Sequence, residues 1–252
     1  MTIKAIFFDQ DGVIIDTEKD GHRVSFNETF KEFGYDVYWD VDYYHELLQI
    51  AGGKERMKHH LHTRGFGKEV KPAEEEELIK AMHKRKTAMF VELIESGRLP
   101  LRPGIHRFMK EATTAGLILG ICTTSNEKAA HAVAYKILAD IKFNFVLAGD
   151  VVSKKKPDPE IYNLALSHAG VKPEECVVIE DSRNGVLAAK AAGMHVVATT
   201  NVYTEKEDLS EADIIVTCLG DPEGEKGTLK AGGKSLDYDG VLHVEQLIEY
   251  FA

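Results

Sequence analysis

Asp9, Gln10, Asp11 and Gly12 follow directly on the apolar run 3–8. Two carboxylates two positions apart repel each other unless a cation lies beside them or one is protonated. Both can face one cavity if the chain leaves regular strand geometry after Asp9, and Gly12 permits a close backbone turn there. A hard, oxygen-preferring ion such as Mg²⁺ would satisfy the pair. An Asx turn closing a strand is the competing reading of Asp-x-Asp-Gly. A calcium EF-hand fits less well, because its glycine comes at the sixth loop position and its loop joins two helices.

Three further segments carry chemistry. Ile121, Cys122, Thr123, Thr124, Ser125 and Asn126 end an apolar run in hydroxyls and open a helix. A phosphate there could take hydroxyl bonds and the N–H groups of a helix N-terminus, whose dipole favours an anion. Thr124 with Glu127 also reads as a capping box, and both roles can hold together. Ser153 to Glu160 contains three consecutive lysines before Pro157, Asp158 and Pro159. Asp158 reads as an N-cap with Pro159 at the first helical position, and Lys156, next to this rigid base, is the candidate clamp on an anionic group. Val177 to Gly185 is an apolar run ending in Glu180 and Asp181. Asp181 can supply a metal oxygen, and Glu180 can serve as a supporting acceptor or as a ligand through water. The small residues after it, Gly185, Ala188, Ala189, Ala192 and Gly193, read as close packing of a helix on a sheet.

The elements that must position these residues follow from periodicity. Short apolar runs at 3–8, 117–122, 145–148, 176–179, 195–198 and 214–217 read as buried strands, with amphipathic helices at 105–115, 129–138, 160–169, 185–192 and 244–251. Such alternation means βαβ units and a doubly wound parallel α/β sheet, whose ligands sit at the carboxyl ends of the strands. Between residues 17 and 100 the pattern is instead helical and charged, with Val24, Phe26, Phe30 and Phe33 at helical spacing and a second stretch at 73–94. Gly34, Gly52-Gly53 and Gly65-Phe66-Gly67 fit helix ends and turns. The expected organisation is a core domain of 1–16 and 101–252, interrupted by a helical domain of 17–100 that can act as a lid. Residues 220–240 read as an irregular surface loop.

The whole chain sets bounds. With 44% hydrophobic and 29% charged residues among 252, it is an ordinary globular sequence, long enough for one large domain or two modest ones. Its net charge of -10 argues against a general nucleic-acid or membrane-surface binder. Local cations and a metal still allow a small anionic substrate. Cys122, Cys176 and Cys218 lack the close pairing of zinc or redox motifs and read as buried thiols in a reducing compartment. No apolar run approaches the roughly 20 residues of a bilayer span, and the first strand leaves no room for a targeting segment. A soluble intracellular location is expected, in the cytoplasm or, after removal of a transit peptide, in an organelle stroma such as the chloroplast's.

Taken together, the four segments resemble the haloacid dehalogenase (HAD) superfamily, whose pattern is Asp-x-Asp-Gly, a strand-end Ser/Thr, a Lys before a Pro and a terminal acidic pair. The resemblance runs in order along the whole chain, and the helical insert is similar to the cap of the β-phosphoglucomutase-like branch. Phe26 to Phe30, Trp39-Asp40, Gly52 to Arg56 and Leu99 to Gly104 resemble CbbY-type sugar-bisphosphate phosphatases. The resemblance implies a Rossmann-like core and a nucleophile, Asp9, that forms an aspartyl-phosphate, with Asp11 as proton donor and then base. It implies Mg²⁺ on Asp9, the Asp11 carbonyl and Asp181, supported by Glu180. Thr123 and Lys156, with Thr124 and Ser125, would bind the phosphoryl oxygens. The implied partner is a small phosphorylated sugar, for this branch a ketopentose bisphosphate such as xylulose 1,5-bisphosphate, met by Glu18, His22, Lys54 and Arg56. Separately, a monomer is expected. The family pattern places the His three residues after the Glu; here Glu18 and His22 are four apart with Gly21 between, spacings that share a helix face.

A sugar phosphomutase, which shares the covalent step, is the alternative reading. A non-enzymatic phospho-receiver module fits poorly, since it is about half as long, lacks the insert and carries its acceptor on a middle strand. A catalytically idle scaffold has no support while all four motif residues are present.

Overall fold

The computed structural model describes residues 2–50, 52–233 and 236–252. Two compact units emerge, one of the residues up to Asp16 with Pro100–Ala252, the other of Thr17–Leu99.

The first unit is built on a sheet of β1 (Ala5–Phe8), β2 (Ile118–Cys122), β3 (Phe145–Leu147), β4 (Cys176–Glu180), β5 (His195–Thr199), β6 (Ile214–Val216) and β7 (Leu229–Gly232). Their spatial order is β3-β2-β1-β4-β5-β6-β7, with β7 alone antiparallel to its neighbour. β1 and β4 are buried along their whole length, which is why they read as unbroken apolar runs rather than as alternation. Register decides what comes level at the strand ends. Phe8 pairs with Ile121 on one side and Ile179 on the other. The next residues, Asp9, Cys122 and Glu180, therefore arrive at one height, at the central strands where the connections switch direction.

Helices α5 (Ile105–Thr114), α6 (Glu127–Ala132), α7 (Glu160–Ala169), α8 (Arg183–Ala191) and α9 (Val244–Tyr250) belong to the same unit. All three cysteines are free and buried. Three expectations need correction. The helix after β2 begins two residues earlier than its apolar spacing suggests, and Asn126, not Thr124, is its N-cap, its side chain accepting from Lys128 N at 2.9 Å. Pro159 is the N-cap of α7, one place beyond Asp158, whose carboxylate accepts from Glu160 N at 3.1 Å. The 220–240 segment is not wholly irregular, since it supplies β7; Lys234 and Ser235 within it lie outside the described residues.

The second unit comprises a π-helical turn, Thr17–His22, then α1 (Arg23–Glu32), α2 (Val41–Leu48), α3 (Gly53–Arg64) and α4 (Pro72–Glu95). Phe26, Phe30, Trp39, Tyr44, Phe66 and Met82 are buried in its core, while Val24 and Phe33 of the expected stripe are half-buried. α2 is opened by Asp40, whose carboxylate accepts from Tyr43 N at 2.8 Å. Among the described residues no helix is long and apolar enough to cross a membrane.

Candidate active site

Asp9 stands at the end of β1, its N–H donating to Ile179 O of β4 at 3.0 Å. Gly12 turns the chain just beyond, at a φ of +82°. A Cβ there would lie 2.0 Å from Asp181 Oδ2, so no other residue fits while Asp181 keeps its place. Lys156 enters from the segment between β3 and α7. Its Nζ donates to Asp9 Oδ1 (2.6 Å), Glu180 Oε1 (2.6 Å) and Cys122 O (3.2 Å). The side chain of Lys156 is 9% exposed, against 71% for Lys154 and 43% for Lys155, so the adjacent lysines form the solvated part of the run.

Glu180 is fully buried and both its oxygens are engaged. Oε1 accepts from Lys156 and from Tyr162 OH (2.7 Å), and Oε2 accepts from Asp181 N (3.0 Å). Asp181 Oδ2 accepts from Asn201 Nδ2 at 2.7 Å. On the other side of Asp9, Asp11 Oδ2 accepts hydrogen bonds from Ser125 Oγ and from Thr123 Oγ1, the latter at 3.4 Å. Ser125 N donates in turn to Thr123 Oγ1 at 3.0 Å, so the hydroxyl loop after β2 is locked onto Asp11. Thr124 is exposed.

Electrostatics show what this arrangement lacks. Asp9, Glu180 and Asp181 each offer a carboxylate oxygen within 4.8 Å of the others. Burial pushes the Asp9 carboxyl up to about 7, against the pull of Lys156 and helped by the charges of Glu180 and Asp11. Burial raises Asp181 well above the carboxylate range too, with Glu180 and Asp9 adding and Arg102 and Asn201 opposing. Lys156 stays charged: burial disfavours its charge, but Asp9 and Glu180 outweigh it. One ammonium among crowded carboxylates leaves excess negative charge, which a divalent cation would neutralise. The donors are all carboxylate oxygens, the kind a hard cation such as Mg²⁺ takes. The site fits such an ion.

Three of the residues in the second unit that sequence singled out, Glu18, His22 and Arg56, gather around a lysine that it missed. Tyr44 OH donates to Glu18 Oε2 at 2.7 Å, and Lys86 Nζ lies 2.7 Å from His22 Nδ1. Burial lowers Lys86 to about 8, with Glu18 raising and Arg56 lowering it; burial, then Lys86 and Arg56, hold His22 down at about 3. Lys86 therefore donates and His22 accepts. Arg56 donates from Nε to Ile50 O at 2.9 Å, while Lys54 is exposed at the start of α3. The π-helical turn carries both Glu18 and His22, and its wider turn brings both into this cluster. Gly21 makes room for it: a Cβ there would lie 2.7 Å from the Phe90 ring, on which His22 stacks.

Tyr162, Gly185, Asn201 and Lys86 escaped the sequence reading as functional residues. Asn201 alone carried a usable signal, a polar residue just past the end of a parallel strand. Gly185 was read as packing, but what it packs on is the buried carboxylate: a Cβ there would fall 1.9–2.1 Å from Glu180 Cδ, Oε1 and Oε2. Tyr162 looks like any core aromatic, and Lys86 is lost among the charges of α4.

Acidic residues and a lysine on a doubly wound sheet, with a hydroxyl-bearing loop beside them, describe a site for anionic groups, and the sequence comparison identifies the class. Residues 3–193 match the haloacid dehalogenase-like hydrolase family, and the chain belongs to that family. It is a phosphatase. A CBBY-like protein of Arabidopsis thaliana is 49% identical over 236 residues, covering 92% of this chain and 74% of the relative. Among solved structures, CbbY from Rhodobacter sphaeroides in complex with phosphate is 40% identical, with a TM-score of 0.62 over 84% of this chain and 93% of that one. A mutant of the same CbbY in complex with xylulose-(1,5)bisphosphate is 39% identical, with a TM-score of 0.61 over the same shares.

Proposed function

We propose that the chain is a Mg²⁺-dependent phosphatase that removes one phosphoryl group from a small phosphorylated sugar, a ketopentose bisphosphate such as xylulose 1,5-bisphosphate. The observation that carries this reading is the placement of Asp9, tied to Lys156 at 2.6 Å and in one buried carboxylate cluster with Asp181 and Glu180. Asp9, Asp181 and the Asp11 carbonyl would hold the ion, with Glu180, whose oxygens are already engaged, supporting through its neighbours. When bound, the ion supplies positive charge to the phosphoryl oxygens and relieves the repulsion between phosphate and carboxylate.

An Asp9 oxygen attacks phosphorus, the bond from phosphorus to the sugar oxygen breaks, and Asp11 gives that oxygen its proton. Water then attacks the aspartyl-phosphate, Asp11 takes the water's proton, and Asp9 is released with inorganic phosphate. Asp11 is steadied for this role by Thr123 and Ser125. Lys156 and the Thr123 loop balance the negative charge that gathers on the transferring group. From the helical unit, Glu18, His22, Arg56, Lys54 and Lys86 are the proposed contacts to the rest of the substrate. The bisphosphate assignment draws on the CbbY relative solved with that ligand.

Phosphate release from a panel of sugar mono- and bisphosphates, with and without Mg²⁺, tests reaction, ion and substrate together. Metal-dependent release, fastest from a ketopentose bisphosphate, is the expected result. Undiminished turnover in excess chelator would overturn the metal assignment, and an isomeric sugar phosphate in place of free phosphate would point to a mutase.

A further inference from the structure

The proposed hydrolytic steps make no use of Arg102, yet few side chains in the first unit make more polar contacts. Nη1 donates to the carbonyl of Gly12 and to Thr199 Oγ1 (3.0 Å); Nη2 donates to the carbonyls of Thr200 (2.6 Å) and Thr217 (2.9 Å). Its own N–H donates to Ile14 O at 2.9 Å, and Leu101 bridges Ile15. One planar fork thus ties the turn after β1 to the end of β5 and to the segment after β6.

Two of the three segments it holds press on Asp181. The Gly12 α-carbon lies so close that a Cβ would meet Asp181 Oδ2, and Asn201, the residue after Thr200, donates to the same oxygen at 2.7 Å. Gly12 N–H donates to Ile15 O at 2.7 Å. Because a peptide group is planar, that bond also fixes the direction of the Asp11 carbonyl, and Arg102 fixes the peptide on the other side of Gly12. We infer that Arg102 is a positioning residue for the metal site, holding Gly12 and Asn201 against Asp181 so that the Asp181 carboxylate and the Asp11 carbonyl keep one geometry. The inference rests on the metal-dependent reading above. A lysine could not replace it, since a point charge on a flexible stem cannot reach these acceptors as a rigid fork does.

Calorimetric titration of Mg²⁺ into metal-free protein tests this without reference to turnover, with circular dichroism and thermal melts reporting the fold. Arg102→Met and Arg102→Lys should both raise the Mg²⁺ dissociation constant about tenfold or more, the usual size of a lost supporting contact. Thr199→Val, which removes one acceptor of Arg102 together with the Thr199 Oγ1 bond to Glu180 O (3.4 Å), should raise it less. Arg107→Met is the control: Arg107 also donates to several carbonyls, those of Leu219, Gly220 and Leu242, but none belongs to the site. It should leave Mg²⁺ affinity unchanged at a similar cost in melting temperature. If wild type fails to bind Mg²⁺, the functional reading itself falls. If wild type binds and the folded Arg102 variants bind equally well, or the Arg107 variant loses as much, the inference alone is overturned. Should neither Arg102 variant fold, Thr199→Val decides, and wild-type affinity there would count against it.

Discussion

As the proposed nucleophile, Asp9 would have to be an anion to attack phosphorus, in a place where burial drives its carboxyl up to about 7. Lys156 supplies part of the compensation, and a divalent cation bound as proposed would complete it. Asp9→Asn keeps the shape but removes the nucleophile, so turnover should vanish while circular dichroism and the melting temperature stay near wild type. Residual phosphate release within about tenfold of wild type would refute the assignment. Gly185 tests the same network from behind. In Gly185→Ala the new methyl must displace the Glu180 carboxylate, and that carboxylate cannot simply swing aside because Lys156, Tyr162 and Asp181 N all hold it. Overpacking of this kind costs about 1–3 kcal/mol. Misplacing Lys156 should also lower kcat by about tenfold or more. Wild-type kcat in a stable Gly185→Ala protein would show that Glu180 does not govern Lys156.

At the scale of elements, the buried parallel strands were legible because each is a continuous apolar run that stops at a polar residue, and Asp9, Thr123, Glu180 and Asp181 were legible because they stand at those stops, while Lys156, well past the end of β3, was legible from its place before Pro157. β7 was not, since Leu229, Lys230, Ala231 and Gly232 form a short, largely exposed edge with no apolar face. Tyr162, Gly185, Arg102 and Lys86 were illegible as functional residues for a different reason: their roles depend on which side chain meets which across elements distant in sequence. The helical unit shows this again at His60, which is buried between the only tryptophan and Tyr43. Trp39 Nε1 donates to His60 Nδ1 at 3.2 Å and Tyr43 OH lies 3.0 Å from the same atom. Indole is only a donor, so His60 carries its proton on Nε2 and is neutral. Burial, then the Arg64 charge, hold it down at about 4, with the Gly65 backbone opposing and His59 adding. A histidine with a depressed folded pKa contributes stability that is complete above its unfolded value near 6.5 and is lost as pH falls from there towards 4. His22, at about 3, acts with the same sign. Trp39 emission followed during thermal melts should therefore report a transition that moves to lower temperature between pH 6.5 and 4. His60→Gln, which keeps an acceptor but does not titrate, should flatten part of that slope; an unchanged slope would remove His60 as its source.

Across the whole molecule the net charge of -10 disfavours any anionic substrate, so recognition depends on where the few well-placed cations are. Lys156, tied to Asp9, is the cation proposed to serve the reacting phosphate; Lys54, Arg56 and Lys86 belong to the helical unit, with Arg56 and Lys86 close enough to depress His22 together. If that unit grips a second, non-reacting phosphate, its contacts supply binding energy remote from the bond that breaks, which can be used to close the cap and align the scissile group. A bisphosphate should then be a much better substrate than its matching monophosphate. Replacing Lys54 and Arg56 together by Ala should cut kcat/KM for the bisphosphate by about 10² or more, since each charge-assisted contact is worth roughly 1.5–3 kcal/mol. The monophosphate, which has no second phosphate to lose, should scarcely change. Arg56 also donates to the Ile50 carbonyl, so a loop loosened by its removal would harm both substrates alike. The ratio of the two kcat/KM values separates these cases: a ratio that collapses towards one places the second phosphate on the helical unit, whereas equal losses for both mark a loosened loop and no loss for either marks side chains that bind nothing, and either outcome withdraws the bisphosphate while leaving the proposed phosphatase core of Asp9, Lys156 and Asp181 untouched.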